Sequence, residues 1–102
     1  MTSVEYLKMT DADALRILRA CAADDSKVFI SQHARERMIQ RKITRPQILR
    51  CLENGKISES PYRDPKGDWR CAIEHYTAGS VITVAVAIKY NNGERTVIVT
   101  VF

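Results

Sequence analysis

Apolar residues recur at three- and four-residue steps along the first half of the chain and alternate along the second. Ala14, Leu15, Ile17, Leu18 and Cys21 follow Thr10 at helical spacing. Asp13 stands three positions after Thr10, close to a capping box, so a helix is predicted from there through about Ala23. Asp24-Asp25-Ser26 breaks it, and Val28-Phe29-Ile30 is a short apolar run, either a brief strand or a packing extension. Ser31 can cap a second helix from Gln32 to about Lys42, rich in strong helix formers, with Ala34, Met38 and Ile39 as a narrow apolar stripe. Thr44 caps a third helix. Gln47 completes its capping box, and Pro46 sits in the first turn, where the missing N–H costs nothing. Ile48, Leu49 and Leu52 face inward, and Asn54-Gly55 ends the helix with Gly55 as its left-handed terminator.

Past Gly55 the period becomes two. Lys56–Arg63 reads as a polar, proline-interrupted edge strand, and Asp64-Pro65-Lys66-Gly67-Asp68 as a turn. Trp69–Thr77 is a strand with Trp69, Cys71, Ile73 and His75 on its core face. After an Ala78-Gly79 turn, Val81–Tyr90 is almost continuously apolar, the pattern of a central strand covered on both sides. Asn91-Asn92-Gly93-Glu94 is a hairpin signal leading into a last strand, Thr96–Phe102. The pattern predicts one α+β domain over residues 1–102. Two or three N-terminal helices should pack on one face of a three- to four-stranded antiparallel sheet.

Composition narrows this little. The chain has 102 residues and a net charge of +4, which permits a polyanionic partner without demanding one. No apolar run is long enough to cross a membrane, and MTSVEYLKMTDAD has no signal core, so a cytoplasmic location without membrane association is expected. Cys21, Cys51 and Cys71 are odd in number and widely spaced, which argues against a disulfide framework or a zinc knuckle. Cys71 and His75 share a strand face but lie about 13 Å apart along it, too far for one metal ion or for a nucleophile pair. No metal and no cofactor is expected. Four glycines in all leave no nucleotide-cradling loop.

Two basic groups remain. His33, Arg37 and Arg41 are spaced i, i+4, i+8, one slowly drifting stripe on the second helix. Guanidiniums bind phosphate oxygens in a fork, and an imidazole titrates near neutrality. A solvated basic face, with His33 packed at the helix start, would give the same spacing. Around the turn, Arg63, Lys66 and Arg70 are interleaved with Tyr62 and Trp69, a composition suited to single-stranded RNA. An ordinary turn beside a core tryptophan would also look this way. His75 has core-facing parity and is set aside.

The stretch Ser31-Gln32-His33-Ala34-Arg35-Glu36-Arg37-Met38-Ile39-Gln40-Arg41-Lys42-Ile43 resembles the S-x-H-A-x-x-R-M-x-x-R-x-I signature of the bacterial domain-of-unknown-function family DUF4258. Asn54-Gly55-Lys56-Ile57, Val84-Ala85-Val86-Ala87 and Ile98-Val99-Thr100-Val101 continue the likeness over about residues 28–102, leaving residues 1–27 as an N-terminal helical extension. The resemblance implies a fold similar to the RelE/ParE and barnase-like group, which contains metal-independent ribonucleases and toxins of toxin–antitoxin modules. Carried over by position, it implies His33, Arg37, Arg41 and Thr100 as catalytic residues. His33 would move the proton while the two arginines stabilise phosphoryl charge. The expected function is a toxin-like, metal-independent endoribonuclease acting on single-stranded RNA or mRNA, with a small acidic antitoxin protein as partner. The alternative is a non-catalytic RNA- or protein-binding module of the same fold.

Overall fold

Thr10 accepts the Asp13 N–H on its hydroxyl while the Asp13 carboxylate accepts the Thr10 N–H, and this reciprocal cap starts α1, Asp11–Ala23. The computed structural model describes residues 8–77, 79–91 and 93–101. Residues 1–7 and Ala78, Asn92 and Phe102, which the signal-core, hairpin and last-strand expectations include, lie outside the described residues. A 3₁₀ turn leads to β1, Val28–Ile30. Ser31 caps α2, Gln32–Arg41, which ends on Lys42 in the left-handed region at φ 57°. Thr44 and Gln47 form the second reciprocal cap and start α3, Arg45–Asn54. Four strands follow: β2, Lys56–Arg63; β3, Trp69–Thr77; β4, Ser80–Asn91; and β5, Glu94–Val101.

The sheet has five strands in the order β1-β5-β4-β3-β2. It is therefore mixed, not the antiparallel sheet of three or four strands expected from the sequence. The Val28–Ile30 run supplies the extra strand and pairs parallel with Val97–Val99 of β5. β4 lies at the centre of the order, as its apolar run predicted. Its coverage differs from expectation. Ile82, Val84, Val86 and Ile88 are buried toward the helices, while Val81 and Thr83 on the other face are exposed. On that outer face small residues, Ala72, Ala85 and Ala87, occupy the middle of the sheet.

Helices α1 and α3 pack together, with α3 over β3 and β4 and α1 reaching β2 and β5, while α2 lies against β5. One core cluster joins Leu18, Ile48, Leu52 and Ala34 from the helices to Ile73, Val84, Val86, Val97 and Val99 from the sheet. Gly55 ends α3 with φ −76°, so it is not the left-handed terminator the sequence suggested. A Cβ at this position would lie 2.5 Å from the carbonyl oxygens of both Cys51 and Glu74. Glycine is there because the helix end and β3 approach too closely for any side chain.

Both edge strands are poor templates for further pairing. On β2 the register shifts twice, between Ile57 and Glu59 and between Glu59 and Tyr62, and Pro61 lacks an N–H. On β1 the Arg45 guanidinium donates to the Val28 carbonyl at 2.9 Å and the Arg35 Nε to the Ile30 carbonyl at 3.3 Å.

Candidate nucleic-acid interface

Ser31 fixes the start of α2. Its hydroxyl accepts the Ala34 N–H at 3.1 Å and donates to the Thr100 carbonyl at 3.0 Å, while its own N–H donates to the Val99 carbonyl. Ala34 is fully buried and Met38 packs against the core, which turns the neighbouring arc of the helix to solvent. On that arc His33 and Arg41 are exposed and Arg37, between them, is half-buried. The three therefore form one stripe on a convex helix surface, and exposed His33 is not the packed, satisfied histidine of the purely structural reading.

Thr100, the fourth residue implied as catalytic, sits at the irregularity in β5. Ala85 pairs with Val101 and Val86 with Val99, so Thr100 is the extra residue of a bulge. Its hydroxyl donates to the Ala85 carbonyl at 3.1 Å. Ser31 ties the α2 N-terminus to this bulge, so His33 begins the helix beside it.

Arg63, Lys66 and Arg70 lie around the β2–β3 turn, at the sheet edge opposite β1. Asp64 organises that turn. One carboxylate oxygen accepts the Lys66 and Asp68 N–H groups, both at 2.9 Å, and the other accepts the Arg70 Nε at 2.6 Å. The bond from Arg70, followed by those backbone donors, holds the Asp64 carboxyl below its ordinary value against the opposing effect of desolvation, and the same bond pushes the Arg70 guanidinium up. Arg63 lies over the Trp69 ring at 5.1 Å, and Lys89 pairs with Asp68 at 2.9 Å. Much of this group's charge is thus engaged within the turn. Three strands separate β1 from β2, so the turn and the α2 stripe form two surfaces.

The distribution of charge was the signal the residue-by-residue reading missed. Residues 32–50 carry six cations, Arg35, Arg37, Arg41, Lys42, Arg45 and Arg50, against the single acid Glu36. That net +5 exceeds the +4 of the whole chain, so the residues outside 32–50, with Glu53 near the end of α3 among them, sum to −1. Counting charge by segment finds it without a structure. Arg35 and Arg45 are the two that cap β1, which holds their heads near the sheet edge.

His75, set aside on parity, is half-buried and lines a cleft at the end of α3 together with Lys56 and Tyr76. Among the described residues, no group of three or more His, Cys, Asp or Glu side chains is placed to hold a metal ion. No helix among them is long and apolar enough to cross a membrane. The three cysteines are free and buried. A family model described as domain of unknown function (DUF4258) matches residues 30–102, from the end of β1 onward, leaving α1 outside the match. No curated protein and no solved structure matches the chain.

Proposed function

The chain belongs to the DUF4258 family, and we propose that it is an RNA-binding module that grips single-stranded RNA through α2 and α3. The observation that carries this reading is the net +5 gathered on residues 32–50. Polyanion affinity depends on local cation density rather than on total charge. Arginine supplies five of these six cations, and its planar fork suits phosphate oxygens better than a point charge does. RNA is our choice among polyanions because the sequence resemblance implies a fold similar to the RelE/ParE and barnase-like group.

Cleavage is the second reading, favoured by one observation: exposed His33 shares its stripe with Arg37 and Arg41. Metal-independent cleavage passes through attack of the 2′-hydroxyl on the adjacent phosphate, with proton transfer at both oxygens. A convex stripe encloses no phosphate, so binding is the simpler function. An acidic antitoxin would fit the same positive surface.

Fluorescence anisotropy with a labelled mixed-sequence RNA tests both readings. Neutralising three or four phosphates should give a log–log salt slope of about −2 to −3. Replacing Arg37 and Arg41 together by Ala should flatten that slope by roughly one to one and a half. Binding that ignores salt, or that survives the double variant unchanged, would remove the α2–α3 surface. Incubation of the same RNA with wild type and His33→Ala, in EDTA, tests cleavage. Loss of cleavage in the variant alone would promote the enzyme reading.

A further inference from the structure

Where β2 begins, the sheet has a step. Pairing between β2 and β3 stops at Lys56 opposite Glu74, so among the described residues His75 and Tyr76 have only β4 beside them. The end of α3 stands over this step, and a cleft of about 340 Å³ opens there, lined by Asn54, Lys56, Glu74, His75, Tyr76 and Val81. Because none of the described strands closes the edge there, side chains from both sheet faces border one cavity. His75 comes from the helix-facing side and Tyr76 from the outer side. Tyr76 is 69% exposed, and its cross-strand partner Val81 is 54% exposed, which gives the cleft an open apolar wall. The opposite wall is polar. Arg19 of α1 steadies it by donating to the Gly55 carbonyl at 3.0 Å.

We propose that this cleft is a mononucleotide site, with the phosphate held by Lys56 and His75 and the base laid on the Tyr76 ring. The volume lies at the lower end of the range for small-ligand sites, which suits one nucleotide. An exposed aromatic face beside a flexible ammonium is the pairing that stacking and phosphate binding require. Asn54 adds an amide that both donates and accepts. Glu74 lies opposite Lys56 in register and shares its outer face, so it competes there for the ammonium. The phosphate is held at the strand edge, where Lys56 and His75 approach from the two faces, and Glu74 accepts from a ribose hydroxyl or a base amino group. The site extends the RNA reading in one respect. Arg50 lies one turn before Asn54 on the exposed side of α3, so a strand tracked along α3 ends at the cleft.

Titration of the isotope-labelled full chain with millimolar adenosine monophosphate, followed by amide chemical shifts, tests the site independently of RNA. Shifts should concentrate at Asn54, Lys56, His75 and Tyr76. Tyr76→Ala should weaken binding roughly tenfold, the loss of one stacking contact. Lys56→Gln should weaken adenosine monophosphate more than adenosine. The amide spectrum of each variant reports that it is folded. No shifts at the cleft, or equal binding by Tyr76→Ala, would overturn the proposal even if RNA binds elsewhere. Nucleotide binding here without any RNA binding would instead retain this site and discard the α2–α3 reading.

Discussion

At Gly55 the side chain is missing for want of room, not for want of a left-handed backbone. The sequence made it a helix terminator because an Asn-Gly pair after an amphipathic run is a local signal. The true constraint comes from the Glu74 carbonyl, nineteen positions away, and no local pattern carries that. The cysteines were easier, since their apolar neighbours already placed them in the core. Burial pushes the Cys51 and Cys71 thiols from the ordinary 9.0 up to about 12, and Cys51 packs its sulfur 3.7 Å from the Ile73 carbonyl. Burial also raises Cys21, against the pull of Lys27 and Arg95. Folded thiols therefore keep protons that the unfolded chain releases above pH 9. Stability should hold below about pH 9 and fall between about pH 9 and about pH 12, by up to 1.4 kcal/mol per pH unit per thiol. Urea titrations across that window should show the decline, and Cys51→Ala should make it shallower. A flat profile would mean that the thiols titrate normally.

Elements whose signals are short-range were legible. Both capping boxes were readable because donor and acceptor lie three residues apart, and all three helices begin beside the predicted caps. Strand irregularities were not, since a bulge is a relation between two strands. Thr100 looked like a site residue by its place in a family pattern, and the pairing makes it the extra residue that its hydroxyl stitches to Ala85. Thr100→Val keeps the shape and removes that bond. It should cost about 1 kcal/mol in chemical denaturation and leave RNA affinity unchanged. Lost RNA affinity or cleavage at unchanged stability would return Thr100 to the functional surface. His75 illustrates the same limit. Strand parity correctly turned it toward the helices, but parity does not reveal where the neighbouring strand stops and the cleft begins.

Across the whole molecule, the alternating half gave the antiparallel strands and the centrality of β4, while the fifth strand stayed open between a brief strand and a packing extension. Val28–Ile30 is too short to show a period, and its parallel partner, Val97–Val99, lies far along the chain. The charge asymmetry was present in the sequence from the start and needed only to be summed by segment. One consequence concerns how copies of this chain keep apart. A bare β1 would offer the Val28 and Ile30 carbonyls as a template, and each molecule that docked there could recruit the next. Arg35 and Arg45 occupy those two acceptors. Wild type should therefore stay monodisperse under mild heating, whereas Arg35→Ala with Arg45→Ala should form thioflavin-positive fibres. A double variant as inert as wild type would show that the guanidiniums guard nothing. Because both belong to the basic helices, a polyanion strong enough to draw them off would unblock the same edge, making bound nucleic acid a seed for polymerisation.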